Sequence, residues 1–309
     1  MHFLFPAPSL ASSWMLFAVF SAVFLGIYDV AKKASVQDNA VLVVLFACSA
    51  TGLALMLPLG AFSLATPDWA RDHGFFIDAL SWRDHALVVA KAALVTLSWV
   101  LTFFALKHLP ISLASPVRAS APLFTLLGAV VMFGERPSAR QGLGIAVILL
   151  AYWIFSLIGR TEGIHFSRNA WVWSLFLGTL VGAASGLYDK HLLQTARLPA
   201  LAMQFWFTVY NALIQGAIVI FLWWPRRAQN TPFRWRWTIA AVGALLLLSD
   251  ALYFHALAMP GALVSVISTL RRTNVVLSFA IGSLLFGERY RLRKSLALGG
   301  VILGVFLIL

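Results

Sequence analysis

The chain has 309 residues, 61% of them hydrophobic and 11% charged, with a mean hydropathy of +0.87. A water-soluble domain is nearer half apolar and a quarter charged, so this composition excludes a soluble fold and requires lipid as the solvent. The formal net charge of +12 would suggest nucleic acid in a soluble protein, but here the cations fall in short loops between apolar runs.

A helix of about 20 residues crosses the hydrocarbon layer. Met1 to Ser13 carries no Lys or Arg, so the first apolar run lacks the basic leader of a cleavable signal and reads as a retained helix over 12–31. Further spans are predicted over 39–62, 86–106, 111–133 and 140–158. A second set is predicted over 170–189, 199–224, 237–257, 262–286 and 294–309. The predicted fold is therefore an all-α integral membrane protein of ten transmembrane helices. Thr66 to His85, with Trp69, Phe75 and Phe76, is the longest polar interruption and is expected to hold a short helix on the membrane surface. Cys48 is the single cysteine, which excludes an intrachain disulfide and a thiolate metal site. Segments such as Trp223-Trp224-Pro225-Arg226-Arg227 and Arg234-Trp235-Arg236-Trp237 mix cations with indoles, as helix ends do at the headgroup layer.

The second set repeats the first. Gly26-Ile27-Tyr28-Asp29 closes the first span and Gly186-Leu187-Tyr188-Asp189 the sixth, followed by Lys32 and Lys33 in one half and Lys190 in the other. Phe133-Gly134-Glu135-Arg136 follows the fourth span, and Phe286-Gly287-Glu288-Arg289 the ninth. Counting back from these pairs Ser115 with Ser268 and Arg118 with Arg271. Ser98 matches Ser249, each preceding an Ala-Leu, at Ala105-Leu106 and Ala256-Leu257. The units are 1–160 and 161–309. An odd number of spans per unit forces the second copy to insert upside down, giving two inverted five-helix repeats around a central cavity at their seam. Gly178, Gly182 and Gly186, with Gly300 and Gly304, have the spacing of close helix packing and read as architecture.

These features resemble the EamA-domain branch of the drug/metabolite transporter superfamily, over nearly the whole chain. The Gly-Glu-Arg element, recurring at both equivalent positions, carries the resemblance. It implies a multi-pass inner-membrane carrier of small metabolites, amino acids or drugs, with a central cavity and alternating access. The related four-helix multidrug exporters use a membrane-embedded glutamate in the middle of their first helix. Here the run from Trp14 to Tyr28 contains no acid before Asp29, so that device for exporting cationic drugs does not carry over. The basic loops, gathered on the side opposite the termini, point to both termini outside, whereas the resemblance implies termini inside.

A charge at the bilayer centre costs about 2.5–3.5 kcal/mol and normally faces a partner or a watery cavity. Asp29, Lys91, Arg118, Asp189, Asp250, Arg271 and Arg272 fall within predicted spans; facing lipid, they would together cost roughly 20 kcal/mol. Arg118 and Arg271 should sit at matching depths across the pseudo-axis, with Arg272 and Asn274 beside the latter. Their guanidinium forks suit a carboxylate or phosphate, which points to an anionic or zwitterionic substrate. Alternatively, Asp29, Asp189 and Asp250 neutralise the three arginines as salt bridges between repeats. Tyr28 and Tyr188, beside equivalent aspartates, line a cavity or sit in the interfacial aromatic belt, and the nearby lysines favour the belt. Trp99 and Tyr253, with Asp250, hold an amine or simply pack, and His255 is a proton shuttle or a packing residue. Glu135 and Glu288 are expected to cap the helix that follows each, or to pair with Arg136 and Arg289.

The leading functional expectation is a secondary transporter of a small polar metabolite, such as an amino acid or organic acid. The expected partners are that substrate, the bilayer and a coupling ion or proton, with no cofactor, metal or nucleic acid, in a monomer or homodimer. No GxxxxGK[ST] stretch is present for nucleotide-driven transport. The alternative is a membrane-embedded enzyme acting on a lipid or lipid-linked substrate, which needs clustered acids, histidines or a metal site. The seven histidines are scattered along the chain, without an HExxH.

Overall fold

In a computed structural model the described residues are 10–109, 117–118, 120–159, 169–274, 276–278, 281 and 291–309. Their regular structure is helical. The first half contributes α1 (Leu10–Val36), α2 (Val41–Ala65), a short α3 (Pro67–Asp72), α4 (Trp82–His108), α5 (Ala121–Phe133) and α6 (Ala139–Gly159). The second contributes α7 (Ala170–Lys190), α8 (Ala200–Ile218), α9 (Trp237–Ala258), α10 (Val264–Arg272) and α11 (Arg291–Ile308). Six of these, α1, α2, α4, α7, α8 and α9, are long and apolar enough to cross a membrane, the α7 and α8 segments including the turns that follow them. Three shorter apolar helices lie at Ala121–Phe133, Ala139–Ala151 and Gly299–Ile308. Ser115, Glu288 and, of the predicted 262–286 span, residues 275, 279, 280 and 282–286 lie outside the described residues.

Local sequence explains most boundaries. Ser81 opens α4 with a capping box: its hydroxyl accepts from the Asp84 amide while the Asp84 carboxylate takes the Ser81 amide. Gly134 ends α5 in the left-handed region at φ 62°, where a glycine has no Cβ to clash. The first helix runs past Asp29 and its lysines to Val36. Lys32 is thus buried rather than at a helix end. The short helix expected between Thr66 and His85 is α3, with Trp69 stacked on the His73 ring.

Packing reproduces the duplication. α1 lies against α9, and its counterpart α7 against α4; α4 meets α8 as α9 meets α2; α5 meets α7 as α10 meets α1. The pairs α2–α8, α5–α10 and α6–α11 map onto themselves when the halves are exchanged. The matched serines share a role: Ser98 donates to the Gly178 carbonyl of α7 (2.7 Å), and Ser249 to the Ser21 carbonyl of α1 (3.0 Å). Between α2, α4 and α8 a buried network joins Ser49 to Gln215 (2.8 Å) and Thr96 to Asn211 (2.9 Å). Outward positions carry bare apolar side chains, among them Leu64 and Val131, more than four-fifths exposed. Trp82 and Trp237 stand exposed at the first residues of α4 and α9, where indoles anchor helices at the headgroups.

The glycine spacing on α11 serves contact. A Cβ on Gly304 would meet the Gly144 carbonyl at 2.9 Å and Ile148 at 2.4 Å, whereas Gly142 has open space. Gly304→Ala should therefore destabilise the fold by about 1–3 kcal/mol through overpacking. Gly142→Ala should leave it unchanged or more stable by up to about 1 kcal/mol. Melting of the two purified variants in detergent checks the contrast.

Candidate functional site

Helices of both halves surround a cavity of about 240 Å³. α1 brings Tyr28, Asp29 and Lys32; α4 brings Lys91, Ser98, Trp99 and Phe103; α7 brings Asp189 and its glycines; α9 brings Asp250 and Tyr253. Arg118, Arg271, Arg272 and Asn274 complete the charged lining. Of the arginines, aspartates and tyrosines, with Trp99 and Asn274, read above as substrate-facing candidates, Tyr188 alone is not among the cavity's lining residues; its hydroxyl donates instead to the Leu87 carbonyl at 3.2 Å. Tyr28, read above as a belt residue, is buried against Val44 and Ile239 because α1 continues beyond it.

The aspartates each find a cation, but not in the expected arrangement. Arg118 stands 4.0 Å from Asp29 and Arg271 2.8 Å from Asp250; both pairs lie within one half rather than between halves. Asp189 pairs across the seam with Lys91 instead of an arginine, and Tyr253 donates to its other oxygen at 3.1 Å. Lys91 lies over the rings of Phe207 and Phe254, at 4.5 and 5.0 Å. The sequence offered Lys91 as an intramembrane charge, yet nothing in its neighbourhood names Asp189 as its partner. The equivalent carboxylate, Asp29, accepts from Asn274 of the other half at 2.7 Å. Thus each of the two repeat-related aspartates has one partner in its own half and one across the seam.

The second arginine is also held through its planar faces and edges. The Arg271 guanidinium stacks 4.1 Å above the Tyr253 ring and donates to Ser249 at 3.2 Å. Its buried Nε–H finds no acceptor among the described residues, an unpaired donor of the kind that costs free energy when kept dry. Gly178, Gly182 and Gly186 all line the cavity, so this stripe, read above as packing alone, also leaves the cavity wall bare of side chains. Gly178 does pack, since an added Cβ would meet Thr102 at 2.7 Å. His255 is exposed and meets Phe17 edge-on, away from the cavity.

At one end of the seam Glu135 does something its position in sequence did not announce. Its carboxylate accepts from the amides of Val264 (2.7 Å) and Ser265 (3.1 Å), from the Ser265 hydroxyl, and from Lys190 at 2.5 Å. It therefore caps α10 of the second half, not the helix that follows it, and ties that cap to the end of α7. A carboxylate at a helix N-terminus satisfies orphan amides and opposes the helix dipole favourably.

A helical membrane protein with a charged cavity shared by two similar halves is a carrier architecture. Residues 12–157 and 162–309 each match the EamA-like transporter family, and the chain belongs to that family. One solved structure, described only as "Crystal structure of protein", superposes with a TM-score of 0.71 at 16% identity, covering 96% of this chain and 98% of its own. That likeness is one of fold. A search of curated proteins gives no significant match.

The Lys91–Asp189 pair is almost fully buried, with side chains 2% and 6% exposed. Removing one charge should strand the other at a cost of about 3–5 kcal/mol, whereas an apolar pair of similar volume should be close to neutral. Lys91→Met and Asp189→Leu are expected each to lose most folded protein, and the double variant to recover it. Size-exclusion profiles and melting temperatures of the three variants test this.

Proposed function

We infer that this protein is a secondary carrier that moves a small polar metabolite by alternating access, with an anionic or zwitterionic substrate in the seam cavity. The observation that carries this reading is the lining itself. Five cations, Lys32, Lys91, Arg118, Arg271 and Arg272, and three carboxylates, Asp29, Asp189 and Asp250, converge there from both halves. So many ionisable groups inside a membrane protein are maintained at a cost that a purely structural seam does not require. The guanidinium groups give planar, two-pronged recognition of a carboxylate or phosphate.

The moving parts in this reading are the two halves, 1–160 and 161–309, each of five spans, with the second inserted opposite to the first. Antiparallel contacts support it. Along α1 and α9 the pairs run Ser13–Met259, Ser21–Ser249 and Ser35–Thr238. Along α4 and α7 they run Lys91–Asp189, Ser98–Gly178 and Leu101–Ser174. The equivalent helices α2 and α8 also run antiparallel, with Phe46 against Gly216, Ser49 against Gln215 and Gly60 against Phe205, which supports insertion of the two halves in opposite senses. The same inference places the protein in the inner membrane as a multi-pass carrier driven by an ion gradient, exchange or simple facilitation.

A thermal-shift screen against amino acids, organic acids, sugar phosphates and amines supplies the ligand, and uptake into proteoliposomes then tests transport. The substrate should cross chemically unchanged; a change of species would instead mark a membrane enzyme. Arg118→Leu and Arg271→Leu should assemble normally and lose uptake about tenfold or more. Loss of folded protein in place of uptake would make the arginines structural, and stabilisation by amines alone would overturn the anionic reading.

A further inference from the structure

Three ion pairs account for every carboxylate in the described cavity lining: Asp29 with Arg118, Asp189 with Lys91, and Asp250 with Arg271. Lys32 is a cation beyond those pairs. It is 9% exposed and lines the cavity, and no carboxylate among the described residues lies within ion-pair distance of its Nζ. Its neighbour one turn back, Asp29, would be its natural helical partner. That carboxylate is turned instead to Asn274 and Arg118.

What holds Lys32 in place is aromatic. Its Nζ sits 4.0 Å from the centre of the Phe103 ring and 5.3 Å from that of Tyr28. Such contacts orient an ammonium but satisfy none of its three donors with an oxygen. Arg118 and Arg272 are further charged neighbours of like sign. An ammonium held by rings, with two like charges beside it and no oxygen acceptor among the described residues, gains from an incoming oxyanion.

We propose that Lys32 is the anchoring residue for the acidic head of the substrate, and that the cavity selects a net anion, a carboxylate or phosphate monoester, over a zwitterion. This rests on the carrier reading above and narrows it. A zwitterion would bring an ammonium to a cavity whose described carboxylates are already engaged, while the surplus charge rewards a ligand with none. Asp29 positions the site indirectly, by turning away from Lys32 and drawing Arg118 to the same wall.

The purified full-length protein can be melted with matched probes on two skeletons. The branched set is 4-methylpentanoate, leucine, leucinamide and isopentyl phosphate; the aryl set is 3-phenylpropanoate, phenylalanine, phenylalaninamide and phenethyl phosphate. On at least one skeleton the carboxylate or the phosphate should raise the melting temperature more than the amino acid, and the amide should not raise it. Which of the two anions is better separates a carboxylate from a phosphate substrate. Lys32→Gln should weaken half-saturation by that anion about tenfold or more, the worth of a charge-assisted hydrogen bond, and Lys32→Arg should restore most of it. Without ligand, Lys32→Gln should melt no lower than wild type, because it removes a buried charge with no ion-pair partner among the described residues; Lys33→Gln should leave the anion response unchanged. A lower ligand-free melting temperature with the anion response intact would make Lys32 structural and overturn the assignment. If Arg118→Gln loses the response while Lys32→Gln keeps it, the anion-carrier reading stands and Lys32 falls. An amino acid binding better than its carboxylate would overturn the net-anion selection, and no response to any anion would remove both readings together.

Discussion

The structure depends on keeping ions away from hydrocarbon. An unpaired charge in a lipid-facing position costs a few kcal/mol even on the mildest scales, comparable to a large fraction of a domain's net stability. Asp29, Lys32, Lys91, Arg118, Asp189, Asp250, Arg271 and Arg272 consequently line the seam cavity, and the seam exists because two amphiphilic halves bury their polar sides against each other. Apolar side chains such as Leu64 and Val131 are left to face outward. This inverts the usual arrangement of a soluble fold: the polar material is central, and hydrogen bonds such as Ser49–Gln215 and Thr96–Asn211 hold the centre together. Each is worth on the order of 1 kcal/mol in a membrane protein, so no single one dominates.

Duplication supplies the frame, and divergence supplies the chemistry. Ser98 and Ser249 still donate to backbone carbonyls of the opposite half's first helix. The residue that follows each is Trp99 in one half and Asp250 in the other, and seven residues before the two serines stand Lys91 and Val242. Those two departures create two of the three ion pairs. Arg271 obtains Asp250 as a close partner, which leaves its counterpart Arg118 to Asp29; Lys91 captures Asp189, which could otherwise have mirrored Asp29. A symmetric scaffold thereby becomes an asymmetric cavity, which a carrier for an asymmetric molecule needs.

Much of this was legible in the sequence because it is periodic or repeated. Apolar runs of membrane length locate the six long helices, all but α1 to within a few residues, and matched signatures such as Gly-Leu-Tyr-Asp and Gly-Glu-Arg expose the duplication. Most of the residues chosen for being charged inside a span do line one cavity. What escaped is what depends on partners distant in sequence. The reach of Glu135 across to Val264 and Ser265 could not be read from its adjacent Arg136. The extension of α1 to Val36 was hidden because two lysines normally announce the end of a span, and it is this extra length that carries Lys32 into the interior. Tyr28 was misplaced to the interface for the same reason. One signal was available: an aspartate and a lysine three apart on a helix share a face, so Asp29 in a cavity should have brought Lys32 with it.

The three ion pairs differ in a way that suits different tasks. Lys91–Asp189 is close, shielded on both sides and reinforced by Tyr253; its rupture without replacement would leave two naked charges, so it favours a fixed register between halves. Arg118–Asp29 is long, at 4.0 Å, with side chains 30% and 19% exposed, and Asp29 already has Asn274 as a second partner. An anion that drew Arg118 away would leave Asp29 hydrogen-bonded and partly hydrated, a far smaller penalty. On the carrier reading, then, the loose pair is the one a substrate exchanges with, while the tight pair keeps the opposite wall in place during that exchange.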